Sequence, residues 1–202
     1  MGRPRKSEIL DGVDVLGQVL HSFVLHGYEG VSMRSLSAQL GRGHTFLADR
    51  YGTKRALWEA AVAHAALLAE PAIEQAFTQQ GDDRATLIAT VRALHQTAAG
   101  AADFARLVDH EARIESDRLD FLIEQLASLN RPLQALFDRL VADGTVRPMP
   151  WYLFYFLVTA PTSLYCQPPL ARRLGRPDNA DDHELLSDLV LGGLLTGGLG
   201  RI

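Results

Sequence analysis

Apolar residues recur at helical spacing along almost the whole chain. Ile9, Val13, Leu16, Leu20, Phe23 and Val24 form one stripe, so the first helix turns that face inward; Ser7 can cap it and Gly27 ends it. After the link Tyr28-Glu29-Gly30, Ser32 can cap a second helix whose Leu36 and Leu40, four apart, share a face. Gly41 follows the last apolar residue, where a helix stops and the chain can need positive φ. Arg42-Gly43-His44 is only long enough for a turn. A third helix then offers Phe46 or Leu47 inward, with Tyr51 one turn on. Gly52-Thr53 breaks it, and Thr53 can cap the next, long helix: Leu57, Trp58, Ala61, Val62, Ala65 and Leu68. Pro71 should kink or restart that helix.

The pattern continues without a convincing period-two strand. Gln79 to Asp83 reads as a loop, and Asp82 or Asp83 caps a helix carrying Leu87, Ile88, Val91 and Leu94. Phe104, Leu107, Val108 and Ile114 mark a shorter helix. Ser116 or Asp117 opens a longer one from Leu119 to Val141, which Pro132 should bend and Asp143-Gly144 ends. Trp151 to Tyr165 is the most apolar stretch; lacking a polar face, it should be buried on all sides. Leu170 to Asp182 reads as a polar loop. Leu185, Leu186, Leu189, Val190, Leu194 and Leu195 form a last helix, in which Gly192, Gly193, Gly197 and Gly198 permit close approach. The fold class is all-α: a three-helix N-terminal head and a larger C-terminal helical bundle.

The second and third helices, joined by a tight turn, have the layout of a helix-turn-helix, whose second helix lies in the DNA major groove. Three pieces in order extend the match: Leu25-His26-Gly27-Tyr28, Val31-Ser-Met-Arg-Ser-Leu36 through Gly41, and Asp49-Arg-Tyr-Gly-Thr-Lys-Arg-Ala-Leu57. Over about the first 60 residues the chain resembles the TetR-like (tetracycline-repressor-like) transcriptional regulators. It departs from them at Arg42, where the family usually has an apolar residue, and at Ala48, where many members have a phosphate-contacting Tyr. The resemblance implies a DNA-binding domain over 1–53. It also implies an effector-binding and dimerisation domain over 54–202, and a homodimeric, ligand-responsive regulator, a repressor by expectation.

In that arrangement Arg42, His44, Thr45, Phe46 and Asp49, with Gly43 in the turn, are candidates to face bases. Ser32, Arg34, Arg50, Tyr51 and Lys54 are candidates for phosphate, and Arg3, Arg5 and Lys6 form a basic arm for phosphates or the minor groove. A small, mostly apolar effector would meet Phe104, Leu107, Phe121 and Leu122 as wall, with His110 and Glu111 as polar anchors. The dimer interface would draw on Trp151, Phe154, Val158, Leu189, Gly193 and Leu194.

Composition and charge sharpen this picture. At 47% hydrophobic and 22% charged residues, the chain is an ordinary globular one rather than a disordered one. The net charge of −4 hides an asymmetry: residues 1–60 hold eight basic and six acidic side chains, the remainder twelve and eighteen. A basic end on an acidic body suits one face for nucleic acid. The lone Cys166 allows no internal disulfide and suits a reducing cytoplasm. The N-terminus lacks the pattern of a signal peptide, and no apolar run approaches the ~20 residues of a membrane span.

Catalytic signatures are absent. There is no P-loop, dinucleotide fingerprint or Gly-x-Ser-x-Gly elbow, so no enzyme activity and no cofactor are expected. Asp109-His110-Glu111 is the best metal-like cluster, but adjacent helical residues diverge, so no metal site is expected. The alternative from another class is an all-α small-molecule-binding or enzymatic bundle whose N-terminal helices only pack.

Overall fold

The computed structural model describes residues 12–78 and 81–197. The expectations for Arg3, Arg5, Lys6, Ser7, Ile9, Gln79 and Gly198 lie outside the described residues. The described chain is helical: α1 (Gly12–His26), α2 (Met33–Gln39), α3 (Phe46–Tyr51), α4 (Lys54–Thr78), α5 (Asp83–Thr97), α6 (Ala102–Glu111), α7 (Asp117–Ala142), α8 (Trp151–Thr159), a 3-10 turn (Ala160–Thr162), α9 (Ser163–Cys166), α10 (Pro168–Arg173) and α11 (His183–Leu194). An isolated antiparallel bridge pairs Val146 with Leu195.

Local chemistry explains the boundaries. Asp82 accepts the Ala85 N–H at 2.7 Å and opens α5; the Thr53 hydroxyl accepts from Ala56 at 3.1 Å at the start of α4. Ser116 accepts from Leu119 N at 3.3 Å and opens α7. Pro71 and Pro132 do not restart their helices: α4 and α7 are continuous through them. Both prolines are exposed, so water can take the carbonyl bonds that their missing N–H groups leave open. The expected loop after Leu170 is partly helix, because Pro168 sits at the first position of α10, where a proline needs no N–H.

Two compact units emerge. The first comprises the chain up to Leu68 together with Arg106–Gln125. Its core holds Val19, Phe23, Leu36, Leu47, Leu57, Trp58, Val62, Leu107 and Leu122, all nearly inaccessible to solvent. By length and composition α4 could cross a bilayer, so it is more apolar than the sequence reading allowed. Its buried Leu57, Trp58, Ala61 and Val62 instead go into this core.

The second unit comprises Ala69–Ala105 and the chain from Leu126 on. Leu87, Val91, Leu136, Phe137, Leu140, Phe154, Val158, Leu191 and Leu194 form its core. Phe137 lies 4.6 Å from Phe154 and 5.7 Å from Trp151, ring centre to ring centre. The apolar helix α8 is not buried on all sides. Phe154 and Val158 face the core, while Tyr152 (65% exposed) and Phe156 (61%) point outward beside Leu153 and Leu157. Hydrophobicity without a polar face does not say whether the covering surface comes from the same chain.

His95 ties three helices of this unit together. Its Nε2 lies 2.9 Å from the Val158 carbonyl and its Nδ1 3.0 Å from the Ser187 hydroxyl. A carbonyl only accepts, so the neutral ring carries its hydrogen on Nε2. Burial pushes the imidazole below its ordinary value of 6.5, partly offset by the carbonyl bond. The folded state therefore favours the neutral ring. Its contribution is intact above pH 6.5 and declines as the pH falls below that value, where the unfolded chain takes up the proton first. Chemical unfolding at pH 7.5 and 5.5 should show a loss at the lower pH that shrinks in His95→Gln. An equal loss in both proteins would assign it to other groups.

Candidate nucleic-acid interface

The helix-turn-helix is built from a few local bonds. Ser32 and Ser35 form a reciprocal cap on α2: Ser35 N donates to Ser32 Oγ at 3.0 Å and Ser32 N to Ser35 Oγ at 3.1 Å. Gly41 closes the turn at φ +66°, and the next residue, Arg42, donates its N–H to Ser37 O at 2.9 Å. Leu47, not Phe46, is the inward residue of α3, fully buried against a half-buried Phe46.

Ser37 is a residue that the sequence reading missed. It is fully buried, donates to Met33 O at 2.9 Å and accepts from Leu47 N at 3.4 Å. It thereby pins the start of α3 to α2. A serine inside a short amphipathic helix carries no sequence signal for a partner ten residues on.

With Leu47 inward, an outer rim remains on either side of Phe46 and Leu47. Gly41 to Thr45 and Ala48 to Arg50 are all exposed, and so are Ser32 and Arg34 at the start of α2. Of the base-facing candidates, Arg42, His44, Thr45 and Asp49 lie on this rim, with Gly43 in the turn between them. Arg42 lies over the Phe46 ring at 5.5 Å and Arg50 over the Tyr51 ring at 5.8 Å, so each guanidinium rests on an aromatic face. Arg34 on α2, Arg42 in the turn and Arg50 on α3 are all exposed, side chains of the kind that can meet a phosphate backbone.

Lys54 is placed differently. Its ammonium donates to Tyr28 O at 3.1 Å and Val31 O at 3.3 Å, and lies 3.6 Å from Glu29. It holds the link between α1 and α2, and its charge is largely committed there.

The effector candidates divide between the units. Leu107, His110, Glu111, Phe121 and Leu122 belong to the first, Phe104 to the second. Leu107 and Leu122 are buried core, Phe121 touches Trp58 at 5.8 Å, and His110 is largely exposed. Glu111 is 3% exposed and accepts from Arg118 Nε at 2.8 Å. Asp109 instead pairs outward with Arg113 at 2.8 Å, so the Asp109-His110-Glu111 run diverges. Among the described residues no group of three His, Cys, Asp or Glu side chains could hold a metal ion.

The interface candidates also separate. Phe154, Val158 and Leu194 are taken up by the core of their own chain, and Trp151 stacks on Phe154 at 5.4 Å. Leu189 is 66% exposed, and nothing lies within 4 Å of where a side chain on Gly193 would begin. The large apolar side chains that α8 and α11 leave exposed are Tyr152, Leu153, Phe156 and Leu157 on α8 and Leu185 and Leu189 on α11.

No family model matches the sequence, and no curated protein does. Solved structures do match in fold. AibR, in its complex with isovaleryl coenzyme A and operator DNA, has a TM-score of 0.70 at 17% identity over 90% of this chain and 96% of its own. The ketosteroid transcriptional regulator KstR2 of Mycobacterium tuberculosis has 0.68 at 13%, over 91% and 94%. A TetR family transcription regulator from Marinobacter aquaeolei has 0.69 at 18%, over 90% and 93%. The chain has the all-α fold of TetR family regulators, a helix-turn-helix head with a C-terminal helical domain.

Proposed function

We propose that this protein is a sequence-specific DNA-binding transcriptional regulator, a ligand-responsive repressor that acts as a homodimer in the cytoplasm, and not an enzyme. The observation that carries this reading is the helix-turn-helix of α2 and α3, its second helix held by Leu47 and Ser37, with Arg34, Arg42 and Arg50 and the turn residues exposed. Likeness in fold to AibR, whose structure holds both operator DNA and an acyl coenzyme A, supports a second, ligand-binding function in the same chain. Arg42, His44, Thr45 and Asp49 read bases, and Arg34 and Arg50 neutralise phosphates. A small, mostly apolar effector binds within the domain that follows residue 53.

Control then needs no chemistry. An effector that fits only one arrangement of the body shifts the spacing of two heads, which no longer match half-sites ~34 Å apart or a multiple of it. Moving occupancy from 99:1 to 1:99 requires a preference of about 5.5 kcal/mol, and operator DNA must weaken effector binding by the same factor.

DNA selected by the protein from a random duplex pool provides the test. Affinity should fall steeply with salt, and Arg50→Ala should lower the slope by about one unit while weakening all sequences alike. Substituting His44 or Thr45 should instead change the preferred sequence. Retention of no duplex, or an Arg50→Ala protein with unchanged affinity and slope, would reject this reading of the rim.

A further inference from the structure

The link between α1 and α2 is held from outside the helix-turn-helix. Tyr28 stacks on Phe23 of α1 at 5.8 Å and meets the edge of Trp58 of α4 at 6.3 Å. Two cations also lie against its ring: Lys54 Nζ at 4.3 Å and Arg118 Cζ at 4.5 Å from the centroid. Lys54 opens α4 and is tied to the link by its own bonds. Arg118 comes from the first turn of α7, far away in sequence yet in the same compact unit.

Arg118 is itself fixed by the buried Glu111, whose Oε2 accepts from its Nε. Glu111 Oε1 has no hydrogen-bond partner among the described residues; the His110 imidazole approaches it to 3.8 Å through Nδ1. A half-satisfied buried carboxylate is a poor device for stability alone, since apolar residues of similar volume often do as well or better. It does hold a guanidinium over a ring: the pair fixes one end and the ring face the other.

We propose that Arg118, oriented by Glu111, is a positioning residue for DNA binding. It clamps Tyr28, and through the link sets where α2 and α3 stand. This rests on the DNA-binding reading of the rim. It places part of the control of operator affinity at the junction of α6 and α7, on residues that touch no DNA.

The test removes both charges together, Arg118→Met with Glu111→Leu, so that neither is left buried alone; Arg118→Lys, which keeps the cation, is the conservative partner. Hydrogen exchange and DNA titration are read on the full chain, with duplex selected by the parent protein from a random pool. Amides of the link and of the start of α2 should exchange faster in the double variant, while the rest of the unit keeps its protection. DNA affinity should drop about tenfold with an unchanged salt slope, and Arg118→Lys should recover part of it. Parent-like affinity or parent-like exchange in the link would overturn the proposal. A slope lower by one unit would also do so, because Arg118 would then be a phosphate contact, and so would a rise in exchange spread evenly over the unit. Failure of the parent itself to bind any duplex would remove the regulator reading instead, and the exchange experiment would still decide the clamp.

Discussion

Leu189→Asp combined with Phe156→Asp should yield a folded monomer that has lost operator binding at concentrations where the parent is saturated. Both side chains are largely exposed in the single chain, so the charges cost the monomer little. If the proposed homodimer pairs through α8 and α11, the same positions are covered by their copies, and an unpaired carboxylate there loses its hydration without compensation. Leu185 and Leu189 lie one turn apart on α11, with Gly193 another turn on, and no atom approaches within 4 Å of where a Gly192 or Gly193 side chain would begin. A helix from a second copy can therefore come close; Gly193→Arg fills that space and should act in the same direction. The effect on DNA is larger than on the contact itself. On the proposed reading a six-residue recognition helix meets one half-site, and two linked heads gain about 10²–10⁴ over one. Sedimentation and DNA titration of the double variant check this. A dimer of parent affinity would show that α8 and α11 do not form the interface.

How much of this was legible beforehand depended on how local the signal was. The cap at Ser32, the positive φ at Gly41 and the cap at Thr53 each involve neighbours within one turn, and residue type alone pointed to them. Of the two outcomes expected at Pro71, the restart does not occur, and α7 also runs on through Pro132; what a proline costs there depends on whether water reaches the freed carbonyl, a property of the exposed face and not of the sequence. The start of the stretch read as a loop from Leu170 is helix instead, because Pro168 opens α10 and a proline ends one helix and begins another with equal ease. The outward face of α8 was illegible in principle: Phe154 and Phe156 are the same residue type, and only the packed neighbours distinguish core from surface. The site shows the same limit. The rim of α3 followed from the turn. The commitment of Lys54 to Tyr28 and Val31, the bond from Leu47 to Ser37 and the stacking of Arg118 on Tyr28 all join residues that no periodicity relates.

The link itself offers the sharpest contrast between two glycines. A methyl group on Gly30 would begin 2.2 Å from the His26 carbonyl oxygen and 3.2 Å from its carbon. That obstacle is backbone at the last residue of α1, so relief requires moving the end of the helix or the link that carries Tyr28. The same addition at Gly17, inside α1, meets nothing within 4 Å and no positive φ. Gly17→Ala should therefore stabilise the head by roughly 0.5–1 kcal/mol, because alanine loses less backbone freedom in a helix. Gly30→Ala should destabilise it by about 1–3 kcal/mol or more, the cost of an overpacked site that yields only by shifting main chain. A displaced link also releases Tyr28 from Lys54 and Arg118, so DNA affinity should fall by well over tenfold. Thermal unfolding and titration with duplex, run side by side on the two variants, decide the matter. If Gly30→Ala melts and binds like Gly17→Ala, the close approach at His26 does not constrain the head, and the link cannot be what sets the recognition helix.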